Sequence, residues 1–306
     1  MDMLRRFSPF GATTVFLAIL TLLLTACGGG SSSSEENPSD SSYSFRCDPV
    51  EAYSPRAADY ELRTTSPSVQ STIIYLHGKN GNPYGDAGAN SLYSELNAAG
   101  FDVIAIYMPY GGVDWDGSMC DALEYIDTVV EAERASGHSV FLAGHSMGGA
   151  HAFTYGVKEA RANVEGLISL DPGHLLHQSN QQQSDSASSV QQAKAEVQAG
   201  RGDQIGAYIT RNNSTQVSIN VSANDYLSFH DMDQFPDMYD VLPNIDLPVL
   251  WLGGQDGSFP SNYRYTTLFD LINSQNSNYV AVDGDHLSMR ENSSQPIVDW
   301  INRLSD

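Results

Sequence analysis

Ser139-Val-Phe-Leu-Ala-Gly-His-Ser-Met-Gly-Gly149 decides how the rest of the chain is read. A short apolar run ends in Gly144-His-Ser-Met-Gly148, and a helix-compatible segment follows. Gly-x-Ser-x-Gly between a strand and a helix places a serine on a sharp, strained turn, with its hydroxyl at the top of a sheet. Small neighbours are needed there because the backbone passes close to adjoining segments. The positive N-terminal end of the following helix points at the same spot. Ser146 is therefore the candidate nucleophile. The alternative is a tight strand-helix turn carrying an inert serine.

Outward from this turn, apolar runs alternate with helix-length segments. Ser71–Leu76, Phe101–Ile106, Val140–Ala143, Gly166–Leu170, Pro248–Leu252 and Tyr279–Val282 read as strands. They are short, β-branched and almost continuously apolar, as expected of parallel strands covered on both faces. Helices are expected around Asn90–Ala99, Cys120–Ala135, Met147–Ala160, Tyr263–Asn273 and Pro296–Leu304. Asp59–Thr64 adds a candidate antiparallel edge strand. This alternation predicts an α/β fold with a mostly parallel sheet and right-handed crossovers. Between about 173 and 246 the pattern breaks. The segment is rich in Gln, Ser and Asn, with one helical stretch at Ser188–Gln198 and no evident sheet strand. An insertion of this length is a cap over the site or an irregular excursion. Tyr226, Phe229, Phe235 and Tyr239 favour an ordered cap, where they either pack together or line an apolar pocket.

From about Ser71 to the C-terminus the chain resembles the α/β-hydrolase family. The resemblance rests on Leu76-His77-Gly78 after the first long strand, the serine turn, an acid after a late strand, and His286 in Asp283-Gly-Asp-His-Leu287 after the last strand. The insertion adds looser cues shared with exported bacterial members, among them Ala223-Asn-Asp-Tyr-Leu-Ser-Phe229. The resemblance implies a fold of mostly parallel sheet flanked by helices, with a cap insertion. It also implies a nucleophile, acid and histidine in that chain order. His286 would take the proton of Ser146 and return it to the leaving group. Two acids compete to orient it. Asp256, in Gly253-Gly-Gln-Asp256, follows the strand before the histidine strand and is favoured. Asp171, in Leu170-Asp-Pro-Gly173, is the alternative, or else a turn residue before proline. The oxyanion donors are expected to be Met147 N–H and Lys79 N–H, with Asn80 N–H as the alternative. Lys79 itself reads as a solvated loop lysine. His77 is expected to support the loop.

The N-terminus reads as an address. Arg5 and Arg6 precede an apolar core at Val15–Leu24, too short for a confident spanning helix. Leu24-Thr-Ala-Cys27 looks like a bacterial lipobox, and Gly28–Ser34 like a flexible spacer. The expected organisation is a lipoprotein signal peptide at 1–26, a linker at 27–42 and the hydrolase domain at 43–306. Lipidation of Cys27 would anchor the protein in a bacterial cell envelope, at the outer membrane or periplasmic face. Of three cysteines, Cys47 and Cys120 then remain as a possible disulfide. Neither has neighbours at zinc-like spacing, so no metal site is expected.

A formal charge of −22 over 306 residues argues against nucleic acid as a partner and against electrostatic docking on anionic lipid. Dinucleotide-binding, Walker and zinc-protease motifs do not occur. The expected activity is hydrolysis of a small-molecule or lipid ester through an acyl-enzyme, without a cofactor. Peptidase, thioesterase and acyltransferase activities would use the same residues. A binding protein built on the same fold is the reading from another class. The oligomeric state stays open.

Overall fold

The apolar runs pair edge to edge in the computed structural model, which describes residues 43–47, 53–64, 71–175, 181–212, 215–256 and 262–305. The N-terminal half contains β1 (Tyr60–Leu62), β2 (Ser71–Leu76), α1 (Ala87–Ala98), β3 (Asp102–Ile106), α2 (Met119–Ala135), β4 (Ser139–His145), α3 (Met147–Gly156) and β5 (Gly166–Leu170). Then follow α4 (Gln181–Gln198), β6 (Ile205–Asn212), β7 (Thr215–Ser222), α5 (Ala223–His230), α6 (Met238–Val241), β8 (Val249–Gly254), α7 (Asn262–Phe269), β9 (Asn278–Val282) and α8 (Ser294–Ser305).

Seven strands form one sheet in the order β1-β3-β2-β4-β5-β8-β9. Only β1 runs antiparallel, pairing Glu61 with Ile104, and the other neighbours are parallel. Side-chain alternation then sends one set of residues to each face. Ile74, Leu76, Ile104 and Leu142 pack against Ile126 and Val130 of α2 and Phe153 of α3. Ile73, Tyr75, Val103 and Ile168 pack against Leu92 and Leu96 of α1 and Trp300 of α8. Helix starts are satisfied locally. Ser118 and Asp121 close a capping box at α2, and Asp86 caps α1 by accepting from Ala89 N–H. The doubly covered parallel sheet expected from the sequence is thus the observed one.

The insertion is ordered over much of its length and holds a hairpin the sequence reading did not anticipate. β6 and β7 pair antiparallel from Ile205↔Ser222 to Asn212↔Thr215. Their inward residues, Tyr208 and Thr210 on one strand and Ile219 and Val221 on the other, are buried, while Gln216, Ser218 and Asn220 separate them. Cys47 and Cys120 form a disulfide with Cα atoms 5.5 Å apart, tying the segment around Phe45 to α2. Among the described residues no helix is long and apolar enough to cross a membrane. The signal peptide, Cys27 and the linker to residue 42 lie outside the described residues.

Candidate active site

Ser146 sits between β4 and α3 with φ 55°, a left-handed value that a non-glycine residue adopts at a cost. The turn exists because its flanks are bare. A Cβ on Gly144 would lie 2.2 Å from Gly148 O, and one on Gly148 would lie 2.3 Å from Leu76 O. Any larger residue at either position would push the turn off the sheet. Ser146 N–H donates to Leu170 O at 3.0 Å, which pins the turn to the end of β5.

His286 faces the same cavity as Ser146. Its Nδ1–H donates to Asp171 Oδ2 at 2.6 Å, which leaves Nε2 as the basic nitrogen. His145 Nε2–H donates to the His286 carbonyl at 2.6 Å and holds the loop from its backbone. The variable position of the serine turn therefore carries a positioning contact that the motif does not reveal. Burial, and secondarily His286 and Arg290, hold the His145 imidazole well below its usual range, so it stays a neutral donor.

The acid beside His286 is Asp171, not the favoured Asp256. Asp171 is only 1% exposed and takes a left-handed φ of 42° directly after β5. Its N–H donates to Leu252 O at 2.7 Å, and Gly254 N–H reaches its Oδ1 at 3.4 Å. The carboxylate is thus wedged where β5 ends beside Leu252–Gly254 of β8. Asp256 lies beyond that point because β8 continues to Gly254. It is exposed, and its N–H bonds to Gly284 O at 3.1 Å. Asp285 accepts from Leu287 N–H, Ser288 N–H and Ser288 Oγ–H, and so caps its own loop instead of the imidazole.

The loop after β2 presses on the nucleophile. A Cβ on Gly78 would lie 3.1 Å from Ser146 Cβ. His77 shapes this loop. Its Nδ1–H donates to Gly78 O at 2.8 Å, and its Nε2 accepts from Met108 N–H at 3.1 Å, with burial pushing its imidazole down to about 4. Asn80 N–H is engaged by Tyr110 O at 3.0 Å, which removes Asn80 as an oxyanion donor. Met147 N–H is a first-turn helix amide without an intrahelical acceptor, directly after Ser146.

Lys79 differs from the solvated lysine expected. Its Nζ donates to His174 Nδ1, Thr210 Oγ1 and Arg211 O, each at 3.0 Å, and burial pushes it down to about 7. The chain of polar contacts continues into the cap. His174 Nε2–H donates to Phe229 O, Thr210 Oγ–H to His230 Nε2, and His230 Nδ1–H to Tyr226 O. Tyr226, Phe229 and Phe235 are buried around this network, with Tyr226 stacked on His230 at 4.2 Å, while Tyr239 is 45% exposed. Packing inside the cap, not an open acyl pocket, accounts for the first three.

Among the described residues one group of potential metal ligands, Asp102, Glu133 and His138, lies at the opposite end of the sheet. Arg63 fills it, donating to Asp102 at 3.2 Å and to both Glu133 oxygens at 2.7 and 2.8 Å, so a guanidinium holds the place a cation would take.

Comparison with known proteins agrees with this architecture. Residues 110–286 match the family model described as Hydrolase_4, serine aminopeptidase, S33. Among solved structures, the Paleococcus ferrophilus monoacylglycerol lipase is similar with a TM-score of 0.59 at 20% identity, over 81% of this chain and 98% of that one. A soluble variant of the Saccharomyces cerevisiae monoglyceride lipase gives 0.58 at 14%, over 80% and 91%. Est1E from Butyrivibrio proteoclasticus, with ferulic acid bound, gives 0.57 at 15%, over 81% and 95%. No curated protein matches the sequence. The family match spans more than half of the chain and includes the serine turn, Asp171 and His286. The chain belongs to the S33 serine aminopeptidase family, Hydrolase_4, within the α/β-hydrolase fold.

Proposed function

We propose that the protein hydrolyses a carboxylic ester, with Ser146, His286 and Asp171 as its catalytic residues. The observation that carries this reading is the 2.6 Å bond from His286 Nδ1 to buried Asp171, with the same imidazole and Ser146 lining one cavity. Ser146 Oγ attacks the carbonyl carbon while His286 Nε2 accepts its proton, and Asp171 stabilises the imidazolium. Met147 N–H and Lys79 N–H receive the developing oxyanion. Collapse expels the alcohol, which takes the proton from His286. Water, deprotonated by the same nitrogen, then releases the acid. The similar monoacylglycerol lipases and esterase favour an ester over the amide that the family's description names.

The test is labelling by a fluorophosphonate probe beside turnover of nitrophenyl esters and an aminoacyl nitroanilide. Labelling and ester turnover that both vanish in Ser146→Ala support the reading. A folded wild-type protein that neither labels nor turns over an ester overturns it. Turnover of the anilide alone would replace esterase with aminopeptidase.

The same reading extends to the chain's address. Leu24-Thr-Ala-Cys27 followed by the Gly/Ser spacer supports lipid anchoring at Cys27 in a bacterial envelope, leaving the domain free to meet lipid or small-molecule esters. Incorporation of labelled palmitate by the full chain in a bacterial host, lost in Cys27→Ser, is the expected result. An unlabelled chain that leaves the membrane fraction would remove the anchor.

A further inference from the structure

Two loops bracket Ser146. On one side is the loop after β2, where a Cβ on Gly78 would lie 3.1 Å from Ser146 Cβ. On the other is the loop after β5, where a Cβ on Gly173 would lie 2.9 Å from Ser146 Oγ. The next residue of each loop meets its counterpart, for Lys79 Nζ donates to His174 Nδ1 at 3.0 Å. The same nitrogen donates to Thr210 Oγ1 and Arg211 O at 3.0 Å, and Asn212 Nδ2–H reaches the Lys79 carbonyl at 3.4 Å. One side chain therefore joins both brackets to β6 of the cap.

The protons of this junction are determined by its carbonyls. Phe229 O can only accept, so His174 carries its hydrogen on Nε2 and offers Nδ1 as an acceptor. Tyr226 O takes the Nδ1–H of His230, so His230 Nε2 takes the Thr210 hydroxyl proton, and Thr210 Oγ1 meets Lys79 with lone pairs alone. Arg211 contributes a carbonyl. Three acceptors call for three protons, and an ammonium supplies three from one atom. Lys79 carries all three on the acid side of about 7, the value to which burial pushes it. Among the described residues no carboxylate pairs with it, and the imidazoles around it, His77, His151, His174 and His230, are held neutral by burial. A buried cation without a counter-charge costs stability, so what this one contributes is geometry.

The backbone of Lys79 is the part that the reaction uses. Gly78 O accepts from His77 Nδ1–H at 2.8 Å and from Gly81 N–H at 3.0 Å, which sets how the peptide between Gly78 and Lys79 is turned. A trans peptide sends its N–H the opposite way from its oxygen, and Lys79 N–H has no acceptor among the described residues. The Lys79 side chain holds the other end of the same residue against the loop that flanks Ser146 Oγ.

We propose that the Lys79 ammonium is a positioning residue: by joining the loop after β2 to the loop after β5 and to the cap, it holds Lys79 N–H where the oxyanion develops. The β6 strand of the cap thereby serves the chemical step. The proposal rests on the reading of Ser146 as the nucleophile and Lys79 N–H as an oxyanion donor.

The test is Lys79→Met in the full chain, with urea unfolding to report that it is folded. Two quantities are read at pH 6.5: kcat and KM for the nitrophenyl ester that the wild type turns over fastest, and inhibition by a trifluoromethyl ketone. Ser146 adds reversibly to such a ketone and leaves an oxyanion on the former carbonyl. Lys79→Met is expected to lower kcat by about 30-fold, short of the roughly 10²–10³-fold that follows outright loss of a donor. KM stays within about twofold, and affinity for the ketone falls by the same factor as kcat/KM. Arg63→Met, which loosens the opposite end of the sheet, leaves kcat within about twofold. Should Lys79→Met fail to fold, His174 reads the same tie. His174 has a left-handed φ of 60°, which Asn also tolerates. His174→Ala removes the acceptor and lowers kcat by about tenfold, whereas His174→Asn, with Oδ1 in place of Nδ1, restores most of it. A folded Lys79→Met with kcat within about threefold of wild type, a loss confined to KM, or an unchanged ketone affinity overturns the proposal, as do equal losses in the two His174 variants. A wild type that neither labels with the fluorophosphonate nor turns over any ester is a different failure, since it strikes the nucleophile itself and the proposal falls with it.

Discussion

Two polar clusters flank Ser146, and they are built on opposite terms. On the cap side, Lys79, His174, Thr210 and His230 pass hydrogen bonds from one to the next until they end on the carbonyls of Arg211, Phe229 and Tyr226. Of the orphans there, His151 Nε2 and Trp115 Nε1 belong to rings packed against Tyr110 and Phe229, and Asn80 Oδ1 lies in the loop after β2. On the α1 side, Tyr75 and Tyr93 line the cavity, but their hydroxyls are sealed inside the fold near Arg290. A connected network positions and rigidifies, whereas sealed phenols contribute chiefly packing. The first joins the loop after β2 to β6 of the cap, and the second packs α1 on β2.

The sharpest way to break the comparison is to remove the axis between the two sides. Asp171→Asn is expected to lower kcat by about 10⁴-fold, because the amide favours the wrong imidazole tautomer, while Asp256→Asn stays within about twofold. Equal losses, measured as ester kcat, would return the role of the acid to Asp256.

Acid titration addresses the closed side next. Burial pushes His77 and His151 down to about 4 and, with Lys79 and neighbouring imidazoles, holds His174 and His230 well below the usual range. An unfolded histidine binds its proton near 6.5, so between about 6.5 and 4 the unfolded state holds more protons. Stability therefore falls as pH falls through that window, by roughly 1–2 kcal/mol per such histidine from pH 6.5 to 5. Lys79, at about 7 when folded, is protonated in both states below that value and adds little slope. Urea unfolding at pH 6.5 and 5 reads this directly, and a flat profile would mean that these imidazoles are charged in the native protein.

Single substitutions then set the two sides against each other. Thr210→Val deprives both Lys79 Nζ and His230 Nε2 of a partner and should destabilise by about 2 kcal/mol. Tyr93→Phe removes an oxygen that had no partner and should change stability by less than about 0.5 kcal/mol, or raise it slightly. Equal losses from the two, in the same denaturant series, would mean that the Tyr93 hydroxyl is internally bonded and the contrast is wrong.

What the sequence disclosed follows from how local each signal is. The serine turn, the main strands and His286 depend on short patterns: flanking glycines, apolar runs and a loop after the last strand. The acid does not. Choosing between Asp171 and Asp256 requires knowing that β8 runs on to Gly254, past the point where the imidazole hangs, and that Asp171 turns left-handed directly after β5. The cap hairpin was hidden by composition. Val217-x-Ile219-x-Val221 alternates with period two, but Ser, Asn and Gln fill the other positions and suggest an irregular segment. Lys79 read as solvated because its acceptors lie 95, 131 and 132 residues away. Tyr75 sits in an apolar run and is a core ring, and nothing in that run discloses that Arg290 lies beside its oxygen.

The bond between Cys47 and Cys120 has a mechanical consequence for a tethered protein. If the chain is held by its N-terminus, tension first meets the bonds of Phe45 to Val157 and Glu159, then at Cys47 passes across the crosslink into α2, whose buried face lies against the sheet. β1, only three residues long and at the sheet's edge, follows Cys47 in the chain and is shielded from that pull. With the crosslink reduced, the same tension, once the Phe45 bonds had given way, would reach β1 and peel it from β3, so the covalent link sets the route by which load reaches the fold.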